Sequence, residues 1–252
     1  MYRRITARSH VRRALVSLSA VAAVGILSAT GPATAAPTGP DVSSWQHVDG
    51  RLINWFAVRG AGHSFAMLKA TEGLSYVNPY FVPDSLLMRA AGVARGTYHY
   101  ARPNLPPEPQ AALYASVVLG QNGTLDLPPV LDIETSGGLA PAGLINWTQR
   151  YLNTVQSLTG RVPIIYTYPR FWRTAMANTS QFTRYPLWIA DYSGKPQPDV
   201  PGNWPTWTFW QTTDSGRIPG IAGGTDLNVY SGAQGDFGRY ANAPSSGSSG
   251  GN

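Results

Sequence analysis

The chain of 252 residues has no cysteine and a formal net charge of +6, from 19 Lys and Arg against 13 Asp and Glu. The lack of cysteine excludes disulfides, thiolate metal sites and thiol nucleophiles. Five of the bases (Arg3, Arg4, Arg8, Arg12, Arg13) and none of the acids fall in the first 35 residues, so the remainder carries 14 bases against 13 acids, and a nucleic-acid or membrane-surface role is excluded.

The N-terminal arginines precede an apolar run over 14–27 and the small-residue stretch Ala33-Thr34-Ala35. That order is the pattern of a secretory signal peptide, and the run is too short for a stable membrane anchor. The Arg3-Arg4 pair leaves twin-arginine export open beside the general route. The expected division is a signal peptide over 1–35, one catalytic domain over 36–242 and a disordered Ser/Gly-rich tail over 243–252. The expected product is an extracellular monomer, detached from the membrane once the signal is cleaved.

Beyond the signal, short apolar runs at 65–70, 96–100, 129–133, 162–166, 187–192 and 207–211 read as buried strands. Their starts lie 31, 33, 33, 25 and 20 residues apart. Spacing near 30 fits a strand, a crossover helix and two turns, and the later intervals leave little room for a helix. With 41–43 at the start and 224–228 at the end there are eight candidate strands. The pattern predicts an α/β fold, a TIM-like barrel whose later helices are short or missing. Helices are expected at 79–91, 109–119 and 144–158, the last from Leu144, Tyr151, Leu152, Val155 and Leu158 at helical spacing. Proline-rich 103–109 and 196–205 read as loops.

Active sites of such barrels form at the C-terminal strand ends. Asp41, Lys69, Glu72, His99, Tyr100, Asp132, Glu134, Tyr166, Asp191, Tyr192, Gln211 and Asp226 fall on or near the expected ends. Residues i and i+2 of a strand share a face about 6.5–7 Å apart. Asp132 and Glu134 should therefore repel, one keeping its proton while the other ionises. Glycoside hydrolysis needs that division: an acid for the leaving oxygen and a negative charge for the oxocarbenium-like transition state. Glu134, with the longer reach, is the expected acid and Asp132 the ionised partner; the alternative is a pair that merely caps a strand. Trp188, Trp207 and Trp210 are either sugar-stacking faces or core. His47, His63 and His99 have no metal-ligand spacing, and His99 reads equally as a lining residue or a satisfied core imidazole. No cofactor or metal is expected.

These residues lie in motifs whose order is informative: Asp41-Val42-Ser43-Ser44-Trp45-Gln46, Ile53-Asn54-Trp55, Lys69-Ala70-Thr71-Glu72-Gly73, Gly96-Thr97-Tyr98-His99-Tyr100, Leu131-Asp132-Ile133-Glu134, Pro186-Leu187-Trp188-Ile189-Ala190, Trp207-Thr208-Phe209-Trp210-Gln211 and Asp226-Leu227-Asn228. From about Gly39 to Gly232 the chain resembles the glycoside hydrolase family 25 lysozymes, muramidases of bacteria and phages. The resemblance implies five β/α units followed by three strands with few helices. It implies cleavage of the β-1,4 bond between N-acetylmuramic acid and N-acetylglucosamine, with bacterial peptidoglycan as the partner. By motif position, Glu134 corresponds to the general acid/base, Asp132 to the second carboxylate, and Asp41 and Asp226 to two further cleft acids. Tyr100, Tyr166, Trp188, Gln211, Lys69 and Glu72 are the expected substrate-binding residues. Whether Asp132 is a nucleophile or orients the substrate acetamido group stays open, as does hydrolysis of another polysaccharide such as chitin, or wall binding without catalysis. Pro40 stands where the family usually has an aliphatic residue, and Asp191 lies at a position that varies.

Overall fold

The computed structural model describes residues 35–119 and 127–241. The expected signal segment (but for its final residue, Ala35) and the Ser/Gly-rich tail lie outside the described residues. Nine strands occur among them: β1 (Thr38–Val42), β2 (Phe65–Glu72), β3 (Tyr76–Val77), β4 (Ala94–Tyr100), β5 (Val130–Asp132), β6 (Ile164–Thr167), β7 (Leu187–Ala190), β8 (Phe209–Gly216) and β9 (Thr225–Tyr230). The helices are α1 (Trp55–Gly60), α2 (Phe81–Ala91), α3 (Pro107–Leu119), α4 (Pro141–Thr159), α5 (Pro169–Thr174) and α6 (Gln234–Ala241).

Around the sheet the order is β1-β9-β8-β7-β6-β5-β4-β2, and pairing of β1 with β2 closes it into an eight-stranded barrel, with β3 outside on β2. Six of the eight contacts between barrel neighbours are parallel; β9 runs antiparallel to both β8 and β1. The shrinking intervals have this cause. The step from β6 to β7 keeps only the six-residue α5, β7 reaches β8 without a helix, and β8 returns as β9 in an antiparallel pair that needs no crossover. Five β/α units and three further strands thus form an α/β barrel of the expected modified type.

Helix boundaries follow local chemistry. α4 starts with Pro141 in its first turn, where a missing N–H costs nothing. It turns Leu144, Trp147, Tyr151, Leu152 and Val155 inward, and ends where Gly160 adopts φ 68°. α2 ends likewise at Gly92, φ 69°. α3 begins at Pro107, inside the stretch read as loop, because a proline at a helix start is tolerated. α1, α5 and α6, of six, six and eight residues, were not expected; segments this short carry too little periodicity to read.

The core has two layers. Inside the barrel, Phe65, Met67, Tyr98, Val130, Ile164, Trp188 and Phe209 pack together; between barrel and helices lie Leu68, Leu131, Ile165, Tyr151, Trp172 and their neighbours. Strands covered on both faces are apolar at nearly every position, which is why they appear as unbroken runs. Register then lines up inward-facing residues around the barrel: Tyr100 opposite Asp132, Asp132 opposite Tyr166, Tyr166 opposite Trp188, and Trp188 opposite Phe209.

Candidate active site

Asp132 ends β5 and Glu134 follows two residues later, outside the strand but still over the barrel mouth. Asp41 on β1 is paired with Asp226 on β9 in the antiparallel register. Because β9 is reversed, its N-terminal end is the one at the mouth, so Asp226, its second residue, reaches the rim. An all-parallel barrel would have sent it to the opposite end. All four acids line one cavity of about 190 Å³ at the barrel axis.

The four carboxylates form two pairs. Asp41 is 6% exposed and accepts hydrogen bonds from Gln211 Nε2 at 2.7 Å and Asn228 Nδ2 at 2.9 Å. Gln211 Nε2 also reaches Asp226 at 3.3 Å, while its Oε1 accepts from Tyr166 at 2.8 Å and from the Tyr192 hydroxyl. Burial is the main cause that raises both carboxyls, and the neighbouring Asp41 helps push Asp226 up to about 8. In the second pair, Asp132 is 5% exposed and its Oδ1 has no hydrogen-bond partner among the described residues. Burial, then the charge of Glu134, holds Asp132 well above the ordinary carboxylate range; burial also raises Glu134, less strongly. The two carboxyls lie within hydrogen-bond reach, so the pair is satisfied when one proton is shared between them. The sequence reading placed the charge on Asp132. Burial raises both carboxyls, so the pair holds one proton between its two members near neutral pH.

The expected binding residues divide. Tyr100, Tyr166 and Lys69 line the cavity. Lys69 and Glu72 are three apart, which on a regular strand would place them on opposite faces. A bulge between Lys69 and Thr71 brings both to one side, where they form an ion pair that Arg102 extends. Glu72 therefore stands behind Lys69 and does not line the cavity, a correction to the expected set. Trp188 is 2% exposed, packed on Tyr166 and Tyr98 and tied through Nε1 to Asn228 at 2.8 Å; it is the cavity floor and has no open stacking face. Gln211 also lines the cavity, but all its donors and acceptors go to protein groups. Trp207 and Trp210 pack in the outer layer.

His99 faces α3, between Thr71 Oγ1 at 2.8 Å and Gln110 Oε1 at 3.1 Å, and burial pulls its imidazole down to about 4, so it is a neutral core group. Asp191 accepts backbone N–H groups from Ser193 and Asp199, shaping a loop. Sequence reasoning missed Trp45: it stands 84% exposed on the rim of the cavity, in a turn capped by Ser43. Its signal was its place three residues after the Ser43-adjacent strand end, in the motif that carries Asp41. Behind that turn, His47 Nε2 and Trp55 Nε1 both meet the buried Asp84, at 2.8 and 2.9 Å, and the His47 ring stacks on Tyr80.

A modified α/β barrel with paired, burial-raised carboxylates in a cleft at its mouth defines a glycoside hydrolase. Residues 40–221 match the family model for glycosyl hydrolases family 25, and the chain belongs to that family. It is similar to lysozyme M1 of Streptomyces globisporus, 38% identical over 81% of this chain and 71% of that protein. It is also similar to the N,O-diacetylmuramidase of Arthroderma benhamiae, 32% identical over 86% and 96% of the two chains. Among solved structures, the bacterial lysozyme of Streptomyces coelicolor superposes with a TM-score of 0.75 at 35% identity, covering 83% of this chain and 98% of that one.

Proposed function

We propose that the protein is an exported lysozyme that hydrolyses the β-1,4 bond between N-acetylmuramic acid and N-acetylglucosamine in peptidoglycan. Glu134 acts as general acid and then base, and Asp132 is its charge partner. The observation that carries this reading is the Asp132–Glu134 pair, two raised carboxyls at the cavity mouth with a proton to share. An acid working near neutral pH must keep its proton, and burial supplies the cause. Once Glu134 gives its proton to the leaving oxygen, Asp132 stands ionised beneath the developing positive charge. Family membership and the relatives named as lysozyme and muramidase support the bond and the substrate.

Asp41 and Asp226, fixed by Gln211 and Asn228, form a second negative wall. Trp45 offers an open indole face for a sugar ring at the rim. Among the described residues no helix is long and apolar enough to cross a membrane. Export rests on the basic-then-apolar N-terminal sequence. The test is clearance of a cell-wall suspension by the protein and by Glu134→Gln, with circular dichroism as the folding control. The variant should keep its fold and lose clearance; clearance at the normal rate would remove Glu134 from the acid role.

A further inference from the structure

A second groove, of about 500 Å³, opens beside the acid-lined cavity over the ends of β6 and β7. The two hollows share Glu134 and Tyr166, so the expected acid stands at their junction. In the barrel order, β6 and β7 lie across from β1 and β2, which carry the Trp45 side of the cavity. A strand of sugars seated against Trp45 and crossing Glu134 would continue into this groove.

The chemistry of the two hollows is opposite. The cavity is walled by four carboxylates, whereas the groove presents Arg170, Arg173 and Lys195. Besides Glu134 at the junction, two acids line the groove, and both are engaged: Asp199 takes a double hydrogen bond from Arg173 at 2.5 and 2.6 Å, and Asp191 accepts two backbone N–H groups. The exposed side chains of Arg170 and Lys195 make no salt bridge or hydrogen bond among the described residues. Arg170 is a cation without a partnered acid, and Lys195, whose charge is felt by Asp199 without a direct contact, keeps its ammonium donors free, both in a concave wall next to the expected acid. Surface cations spread over a face would be solvation; a pair turned into a groove that continues the active site is a ligand feature.

Resting on the muramidase reading, we propose that Arg170 and Lys195 recognise a carboxylate on the glycan strand. They would make the groove selective for acidic, muramic-acid-bearing strands over neutral aminosugar polymers. Two carboxylate sources fit: the free carboxylates of the stem peptide, and the lactyl carboxylate of a muramic acid that carries no peptide, since an attached peptide holds that carboxyl as an amide. Both present a planar anion that a guanidinium can grip through two N–H groups, with the ammonium adding a point charge.

The test compares the protein with the Arg170→Ala/Lys195→Ala double variant on three walls: intact, stripped of stem peptides, and with its carboxylates converted to amides. On intact wall the variant should show KM raised about tenfold with kcat little altered, as loss of two partly solvated charge contacts predicts. Its KM should also respond less steeply to salt than that of the parent. On amidated wall the two proteins should converge. Stripping exchanges the stem-peptide carboxylates for lactyl carboxylates freed from their amide bonds, so a deficit lost on stripping assigns the stem peptide, and a deficit kept or enlarged on stripped wall assigns the freed lactyl carboxylate. An equal deficit on all three walls, or none on any, overturns the proposal. Failure of the parent protein to release muramic acid ends from any of the walls would instead overturn the reading on which it rests.

Discussion

Replacing Asp226 by Asn should stabilise the protein, and by an amount that depends on pH. Burial and the neighbouring Asp41 lift the Asp226 carboxyl from 3.8 to about 8. The folded state therefore binds a proton that the unfolded chain releases. For a group raised in this way, its contribution to stability is fully present below about 3.8 and is lost as pH rises through about 8. A shift of this size would correspond to roughly 5–6 kcal/mol for an isolated, fully buried group. Asp226 is part exposed and shares its field with Asp41, so solvent screening reduces the realised figure to about 1–3 kcal/mol. Asn keeps an acceptor for Gln211 Nε2 and removes the charge. At roughly 2–4 °C per kcal/mol for a domain of this size, the variant should melt about 2–12 °C higher at pH 8–9. The two melting curves should converge near pH 4. The assay is calorimetric Tm across that range. A gap constant with pH, or a parent protein that melts higher at alkaline pH, would refute the electrostatic reasoning.

Three further outcomes follow from the same geometry. Trp45→Ala should leave Tm unchanged, since the side chain is exposed, but raise KM for wall fragments about three- to tenfold through loss of one stacking face; saturation kinetics on soluble glycan fragments checks this. Asp84→Ala strips the acceptor from His47 and Trp55 at once and should cost about 3 kcal/mol, a Tm drop of roughly 6–12 °C. Asp84→Asn should fall between, and an Ala variant melting with the parent would show that the network does not hold the Trp45 turn. Glu134→Gln should bind wall with near-normal affinity in a pull-down while releasing no fragments, separating recognition from chemistry.

Much of this architecture was legible from residues alone, for identifiable reasons. Strands covered on both faces become apolar runs, so six of the barrel strands were found from 65–70, 96–100 and their counterparts, and 41–43 and 224–228 completed the eight. The direction of β9 was not legible, because hydrophobic pattern carries no sense of direction. Spacing placed Asp132 and Glu134 at one mouth, but the burial that raises both carboxyls is a property of the packed barrel. The ion pairs that hold Glu72 to Lys69 and Arg102 were not legible, because they depend on a bulge between Lys69 and Thr71 and on a residue 30 positions away, neither marked in the run Lys69-Ala70-Thr71-Glu72. Trp188 was expected at the substrate and Trp45 was given no role for a similar reason. A tryptophan at a strand end and one in a capped turn look alike in sequence, and only the fold buries one and exposes the other.

The central claim is the identity of the bond that this cleft cuts. Digesting peptidoglycan with the protein, reducing the new ends with borohydride and hydrolysing the product to its aminosugars reads that bond directly. The account predicts that muramicitol appears in proportion to enzyme and is absent with Glu134→Gln. Glucosaminitol in its place, or no new reduced sugar at all, would contradict it.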